Sequence, residues 1–367
     1  MKKIYFSMLA MILAACMISC EKKGGETPTV ETDKETLIRE AATEYVNNNV
    51  LVIYQGLADA SAEIYDACAA IKANSEAGKL TDADIRKAAD AWLKARKYWE
   101  QSEAFLFGPV ADEGIDPRID SWPLDKTGMD AILANDAKMA EIEKQGAAYF
   151  ERLPEGYGMF GFHALEYLIF ASDNTSKPVR LRATDSYTKN ELIYLTAAAE
   201  DLKAQTARLV SLWRNGYAKT MTTVGNNEQY RTWDDVAEEI LQGCIDIADE
   251  VGNTKMGTPH NASSEGDRDY IESPYSLNSI QDFQDNIISI KNSYAGGEKN
   301  LSKLMQTIDK ELDSKCLAAI DEAYNKIGLI PEPFAESASK PVTADAIEAC
   351  NELVEILESI NVQIREK

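Results

Sequence analysis

The chain contains two histidines, and one of them, His163, is followed three positions later by a glutamate, Glu166. Side chains at positions i and i+3 of an α-helix lie on the same face. Inward-facing histidine–carboxylate pairs of this spacing build metal and acid–base sites in helical bundles. The same two residues also suit a core histidine that is hydrogen-bonded to its neighbouring glutamate. The pair alone does not separate these two interpretations, so the elements around it have to be considered.

The composition is typical of a folded and strongly acidic protein. Of the 367 residues 45% are hydrophobic and 27% are charged, and the formal net charge is −23. This length is sufficient for two packed domains or one large one. A surface with this charge repels nucleic acid and anionic lipid headgroups, whereas cations remain compatible with it. We therefore expect no nucleic-acid partner.

The N-terminal residues resemble the export signal of a bacterial lipoprotein. Two lysines precede IYFSMLAMILAACMIS, an apolar stretch that is too short to span a membrane. Cys16 follows small residues of the usual kind, but Cys20 leads directly into the polar run EKKGGETPTVETDK, which suits a flexible tether. We expect a signal peptide over residues 1–19, an acylated Cys20 and a tether over residues 20–33. The mature protein would then be a lipoprotein held by its lipid alone, in the outer membrane, facing the periplasm or the cell surface.

Past the tether, apolar residues recur with the spacing of α-helices almost throughout. Ile85, Ala89, Trp92, Ala95 and Trp99, for example, follow one another at intervals of three and four. No segment alternates strictly between apolar and polar residues, as a half-buried strand would. The chain is therefore predicted to be all-α. The predicted helices cover residues 34–76, 82–105, 127–145, 160–171, 187–215, 232–251, 278–295, 299–327 and 343–365.

Two long stretches interrupt the helical pattern, residues 107–128 and residues 252–278. Irregular segments of this length are usually either functional or disordered, and the first has enough apolar residues to be ordered. A polar segment over residues 171–186 separates two halves that each hold several helices and one such stretch. We predict two four-helix-bundle-like domains, residues 34–180 and 181–367, related by a pseudo-duplication, although no sequence repeat is strong enough to prove it.

The remaining cysteines are widely spaced along the chain. Cys68, Cys244, Cys316 and Cys350 each lie among alanines and aliphatic residues, and none forms a C-x-x-C pair. Buried free thiols are the expected state for cysteines in such surroundings.

Four motifs follow one another along the chain: WLKARKYWEQSEAFLFGP, IDPRIDSWPLD, GFHALEYLIF and SPYSLNSIQDFQDNIISIKNSYAGG. In this order they resemble the imelysin family, exported bacterial proteins that are also classed as metallopeptidases and are marked by G-x-H-x-x-E. That motif is intact as Gly161, His163 and Glu166. The resemblance covers nearly all of residues 34–367. It implies a pair of four-helix bundles with a suspected site between them, near the G-x-H-x-x-E helix.

The resemblance also implies which residues surround the motif. Glu103, His163 and Glu166 are expected to converge as metal ligands, with the 107–128 stretch closing over them. Carboxylates packed together without a cation repel one another, so we expect protonated or arginine-paired acids in the absence of metal. The residues implied to support the ligands or to contact the cargo are Asp116, Arg118, Asp120, Trp122, Ser276, Asn278 and Asp282.

Each of these supporting residues also has a simpler explanation. The aspartates can cap turns beside the neighbouring proline and glycine. Arg118 can pair with the two acids next to it in the sequence. Ser276 or Asn278 can cap the helix predicted to begin at residue 278.

The residue types favour binding over catalysis. Zinc peptidases typically use two histidines in H-E-x-x-H, a further carboxylate and an open coordination position, and this sequence has no H-E-x-x-H. One histidine among carboxylates is a hard, oxygen-rich ligand set that suits iron(III), manganese or calcium. By the resemblance we expect a protein that binds iron, or an iron complex, and works with iron-transport components. The alternatives are a metallopeptidase and a metal-free surface binding module.

Overall fold

The computed structural model describes residues 33–153, 157–225, 228–263 and 270–367. The predicted signal peptide and the predicted lipidation site, Cys20, lie outside the described residues. Within these ranges no strand is formed, and the only β-type contact among them is an isolated bridge between Phe170 and Leu181. The all-α prediction is confirmed.

Helices account for most of the described residues. The α-helices are α1 (Asp33–Glu44), α2 (Leu51–Glu76), α3 (Asp82–Glu100), α4 (Pro109–Asp112), α5 (Asp116–Ile119), α6 (Lys126–Leu133), α7 (Asp136–Gln145), α8 (Phe162–Ile169), α9 (Lys189–Leu212), α10 (Ala218–Met221), α11 (Trp233–Asp249), α12 (Gly257–His260), α13 (Ser279–Ala295), α14 (Leu301–Ile308), α15 (Lys310–Gly328), α16 (Phe334–Ser337) and α17 (Pro341–Glu366). Wider π-helical turns occur at Tyr45–Val50, Trp213–Tyr217 and Glu250–Met256, and 3₁₀ turns at Glu103–Phe105 and Gly146–Arg152.

Local capping chemistry fixes where several long helices begin. Thr81, Thr188 and Thr232 each form a capping box at the start of α3, α9 and α11, in which the threonine side chain and an acid three residues later satisfy each other's backbone N–H groups. The helix predicted over residues 299–327 is instead divided into α14 and α15. The break lies at Asp309, whose carboxylate accepts hydrogen bonds from the first turn of α15.

The long helices pack in two groups. In the first, α2 packs against α3 and α9, and α8 packs against the same two helices. In the second, α11 and α15 each contact both α13 and α17. The helix α9 follows the boundary predicted at residue 180 and contacts α2 of the first group; its buried residues include Leu195, Ala198 and Leu202. The boundary itself stays a prediction. Asp33–Lys367 form one compact unit, and the pseudo-duplication stays a prediction.

The interrupting stretch at residues 107–128 is ordered, as expected. It folds into the short helices α4 and α5 and is held by Val110, Ile115 and Ile119, which are fully buried. This stretch carries Asp120 and Trp122 to the region where α3 meets α8 and α13. The ordered stretch therefore fixes the positions of Asp120 and Trp122.

All four cysteines of the described ranges are buried free thiols, as predicted, and burial raises the pKa of Cys68 to about 12.

None of the described helices combines the length and the apolar character that crossing a membrane requires.

Candidate metal site

An arginine lies at the centre of a buried cluster of charged side chains. Arg96, on α3, is fully buried. Burial disfavours its charge, but the surrounding carboxylates more than offset this and raise the pKa of Arg96 well above its usual value. Its guanidinium pairs with Glu100, Asp120 and Glu272, and its Nε lies 3.7 Å from Asp282 Oδ2.

A second buried cation, Lys255, neutralises another part of this cluster. It belongs to the π-helical turn Glu250–Met256. Its Nζ lies 2.8 Å from Glu103 Oε2, 3.3 Å from Glu100 Oε2 and 3.2 Å from Glu272. The amide of Asn286, on α13, donates hydrogen bonds to Glu100 at 2.6 Å and to Glu103 at 3.1 Å. Glu103 is therefore held by Lys255 and Asn286.

The glycine of G-x-H-x-x-E permits a close approach of two backbone segments. Gly161 has a φ of +82°, and a Cβ atom there would lie 2.2 Å from the carbonyl oxygen of Ile119. Only glycine accepts both this conformation and this contact. The start of α8 is thereby brought against the residue that precedes Asp120. As a result, His163 Nε2 lies 3.3 Å from Asp120 Oδ1.

His163 and Asp120 form a buried ion pair when the ring is protonated. Burial favours the neutral form of His163, but Asp120 and Glu166 outweigh burial and raise its pKa to about 9. Burial acts to raise the pKa of Asp120, yet Arg96 and His163 hold it below its usual value. The indole N–H of Trp99 donates to Asp120 Oδ2 at 2.6 Å and fixes the carboxylate.

Glu166 holds a turn that precedes α13. Its Oε1 accepts hydrogen bonds from the backbone N–H groups of Tyr275, at 3.0 Å, and Ser276, at 2.8 Å, and from the Ser276 hydroxyl at 2.7 Å. Ser273 and Leu277 have positive φ values of 48° and 55°, an uncommon conformation for residues other than glycine. The carboxylate of Glu166 thus stabilises a strained turn that follows Glu272 directly. Its other oxygen, Oε2, lies 3.6 Å from His163 Nδ1.

Three of the other predicted residues, Asn278, Arg118 and Asp116, interact with or lie near acidic side chains. Asn278 is the residue before α13 but does not cap it; its amide donates to Asp282 Oδ1 at 2.6 Å. Arg118 pairs with Asp201 on α9, at 2.5 Å. Burial, followed by the nearby Asp120, raises the pKa of Asp116 to about 7.

Two sets of three side chains bring potential metal ligands together in the described part of the chain. They are Asp120 with His163 and Glu272, and Glu100 with Glu103 and Asp120; within each set the ligand atoms lie within 4.8 Å of one another. Glu103 and His163 fall in different sets, and Glu166 falls in neither. In this structure Lys255 holds Glu103 and the 275–276 backbone holds Glu166, and the two sets share Asp120. The joint role of Glu103, His163 and Glu166 as metal ligands stays a prediction.

Two cavities adjoin these sets. One, of about 230 Å³, has five carboxylates and one ammonium group in its wall, together with uncharged residues that include Leu106 and Ser121; the charged residues are Glu103, Asp116, Asp120, Glu250, Glu272 and Lys255. The other, of about 470 Å³, is lined in part by His163 and Glu166, and Trp122 lines both cavities. His163 Nε2 and Glu272 Oε2 are buried and accept or donate no hydrogen bond among the described residues, but each lies at ion-pair distance from an opposite charge, Asp120 Oδ1 at 3.3 Å and Lys255 Nζ at 3.2 Å. A nitrogen and carboxylate oxygens beside an acidic cavity are ligand types that fit a hard cation.

Several residues of the cluster were not predicted from the sequence. Arg96 and Glu100 lie four positions apart on the buried face of α3, the face that also carries Trp92 and Trp99. Charged residues at positions that the helical spacing assigns to a buried face could have indicated a buried ion pair. Lys255 and Glu272 lie within the second interrupting stretch, where no periodic pattern identifies a buried residue.

The sequence matches a family model over most of its length. The model of the imelysin family, Peptidase M75, matches residues 51–360. The chain is a member of the imelysin family. The resemblance inferred from the four motifs is thereby confirmed, and the G-x-H-x-x-E residues of this imelysin are those that meet Asp120 and the 272–277 turn.

Individual relatives agree with the family assignment. The imelysin chain is 29% identical to iron-regulated protein A of Synechococcus elongatus over 277 residues, which are 71% of this chain and 68% of the relative. A crystal structure from Parabacteroides distasonis, of a protein assigned as an iron-regulated protein A precursor, has 27% identity and a TM-score of 0.78, covering 93% of this chain and 97% of that one. An imelysin-like protein of Psychrobacter arcticum shares the fold, with 15% identity and a TM-score of 0.64 over 92% of this chain and 95% of its own.

Proposed function

We propose that this imelysin-family chain is an exported lipoprotein that binds a hard metal cation, iron in particular, as cargo in iron uptake. The observation that carries this proposal is the set formed by Asp120, His163 and Glu272, whose ligand atoms lie within 4.8 Å of one another. These side chains offer carboxylate oxygens and one imidazole nitrogen, for which a metal must displace a proton because the pKa of His163 is raised to about 9; the combination suits iron(III) or manganese(II).

The charge balance of the cluster supports a cation as the bound species. Acids outnumber the two fixed cations, Arg96 and Lys255, and burial raises the pKa of Glu103 and Glu250 as well as that of Asp116. Such acids retain protons where no further cation is present. A bound metal would replace those protons and relieve the repulsion, so its affinity is expected to rise with pH. The iron-regulated names of the two relatives point to iron among the hard cations.

A metal-free role is the second candidate, and one observation favours it. Arg96 and Lys255 already pair with Glu100, Glu103, Asp120 and Glu272, so the cluster can also serve as an internal ion network that fixes the fold. The two functions make different predictions for added metal, because an ion network without a metal has no reason to be stabilised by one.

The test is a metal analysis with a matched histidine control. Wild type, His163→Ala and His260→Ala are purified without chelators, analysed for metal content, and titrated with ferrous and ferric iron by calorimetry. His260 is the other histidine of the chain, and its ring contacts the carbonyl oxygen of Ala338, outside the acid cluster. We expect wild type and His260→Ala to bind iron and His163→Ala to lose about tenfold or more in affinity.

Thermal unfolding gives the second measure of the same proposal. A cation at about 100 times its Kd stabilises the folded state by about 2.7 kcal/mol, which raises Tm. Absence of bound metal in wild type together with an unchanged Tm in iron or manganese would contradict the metal proposal and favour the ion-network role.

The lipid anchor is tested separately. Mass spectrometry of the membrane-extracted N-terminus is expected to find an acylated Cys20, and Cys20→Ala is expected to release the protein from the outer membrane. An acylated Cys16, or an unmodified terminus elsewhere, would contradict this part of the proposal. The lipid is expected to hold the protein at the membrane. Iron-transport components in the same membrane are therefore the partners that we propose for it.

A further inference from the structure

The larger cavity beside His163 exceeds what a metal ion needs. Its volume is about 470 Å³. One water occupies about 30 Å³ of liquid, whereas pockets for small organic molecules measure about 300–1,000 Å³. Its wall includes Trp122, which also lines the acidic cavity, so an occupant of the larger cavity would lie next to the proposed metal site.

Three residues of its wall each carry a buried polar atom that lacks a hydrogen-bond partner among the described residues. They are Trp122 Nε1, His163 Nε2 and Glu166 Oε2, of which His163 Nε2 lies at ion-pair distance from Asp120 Oδ1 (3.3 Å) and Glu166 Oε2 at ion-pair distance from His163 Nδ1 (3.6 Å). His163 is 3% exposed and Glu166 is 0% exposed, so neither group is satisfied by open solvent. Buried polar groups are normally paired, and unpaired ones require an explanation. An indole N–H can only donate and a carboxylate oxygen can only accept, so a matching ligand must offer both an acceptor and a donor, and hydroxyl groups can serve as either.

The rest of the wall favours a ligand with a partly apolar body. Apolar and aromatic side chains form much of it: Pro123, Leu124, Ile271, Pro274 and Tyr275. One ammonium group, from Lys126, lies at the wall and is half exposed in an ion pair with Asp130. The Asp125 carboxylate also lies there, and its Oδ1 accepts the Gly128 N–H as the cap of α6. The wall thus combines an apolar surface with one ammonium group, which Asp130 pairs, and with the carboxylates of Asp125 and Glu166.

We propose that this cavity binds an aromatic hydroxy acid, a small organic molecule with hydroxyl and carboxylate groups on a flat ring. Molecules of this class are oxygen chelators of iron(III). The inference deepens the proposed function, since it makes the cargo a chelated iron, with the organic part in the larger cavity and the metal toward Asp120 and His163. The organic part alone already has matching partners in the wall.

The test uses 2,3-dihydroxybenzoate as the probe, with benzoate as its matched control, titrated by calorimetry into the iron-free full chain. Benzoate keeps the ring and the carboxylate but lacks the two hydroxyls. We expect dihydroxybenzoate to bind at least about tenfold more tightly than benzoate. Trp122→Phe retains an aromatic ring and removes one N–H, so it is expected to weaken dihydroxybenzoate binding about fivefold, the equivalent of one hydrogen bond of about 1 kcal/mol.

A second tryptophan provides the control for that substitution. The indole N–H of Trp213 is also buried and unpartnered among the described residues, but Trp213 packs against Tyr54 and Tyr217, outside this cavity. Trp213→Phe is expected to leave dihydroxybenzoate affinity unchanged, and thermal unfolding of each variant confirms that it is folded.

The outcomes separate this inference from the proposed function. No binding of dihydroxybenzoate to wild type at up to about 10 mM would overturn the inference, and so would equal affinities of Trp122→Phe and wild type. Either result, combined with successful iron titration, leaves the proposed function intact. Binding of dihydroxybenzoate without any binding of iron supports the cavity assignment and overturns the proposed function. Tighter binding of the ferric complex than of the free acid supports both.

Discussion

Replacing Glu166 tests whether this residue acts by holding the turn before α13 and not by binding metal. Glu166→Ala removes the carboxylate that accepts hydrogen bonds from the part-buried N–H group of Tyr275 and the buried N–H group of Ser276. Each unsatisfied donor costs about 1–3 kcal/mol, so the two together give about 2–6 kcal/mol. The Ser276 hydroxyl adds little, because the carbonyl oxygen of Ser273 already lies 3.4 Å from it. Glu166→Gln keeps one acceptor oxygen and is expected to cost about 1–2 kcal/mol.

The assay is urea unfolding with native-state hydrogen exchange at Tyr275 and Ser276. We expect both amides to lose protection in Glu166→Ala by more than the global change in stability explains, because the strained turn opens locally. Glu63→Ala is the control, since Glu63 forms a half-exposed surface pair with Lys94 and is expected to cost less than about 1 kcal/mol. The reasoning is refuted if Glu166→Ala matches Glu63→Ala in stability and keeps both amides protected.

Three further substitutions test other parts of the site. Gly161→Ala places a Cβ 2.2 Å from the Ile119 carbonyl at a φ of +82°, so we expect a loss of about 2–4 kcal/mol in urea unfolding. The pKa of Asp116 is raised to about 7. The contribution of Asp116 to the free energy of unfolding is therefore present below about pH 4 and is lost as the pH rises through 7. Asp116→Asn is expected to remove about 2–4 kcal/mol of this pH dependence, measured by urea unfolding between pH 4 and 8. Lys255→Met leaves three carboxylates without their ammonium partner and is expected to lower the free energy of unfolding by about 3–5 kcal/mol at pH 7. Part of this stability is expected to return at pH 5, where the carboxylates take up protons. Equal losses of stability at both pH values would contradict the pairing.

The helices could be predicted because their signals are local. In α3, Thr81 and Asp84 specify the start, and Ile85, Trp92 and Trp99 specify the buried face. These residues act on neighbours within a few positions, so the pattern is visible in one sequence. The break at Asp309 was not predicted, because apolar periodicity continues across it and only the capping contact of the carboxylate marks it.

The charged cluster could be predicted only in part, because its pairs are distant in the sequence. Arg96 meets Asp120 across 24 positions and Glu272 across 176 positions. An arginine in an apolar pattern has the same appearance in a sequence whether it is buried or extends to solvent at the edge of a face. The motif identified His163 and the acids around it, whereas the partners that determine their charge depend on how α3, α8 and α13 pack.

The wide separation of these partners has a consequence for how the protein folds and unfolds. Lys255 reaches Glu103 across 152 positions, and Asn286 reaches Glu100 across 186. Closing loops of this length costs entropy that only extensive packing can repay, so such contacts form late, after the neighbouring helices have assembled. Interactions that are absent from the transition state slow unfolding without speeding folding. The buried ion network is thus expected to determine how long the folded protein persists, and to have little influence on how fast it folds.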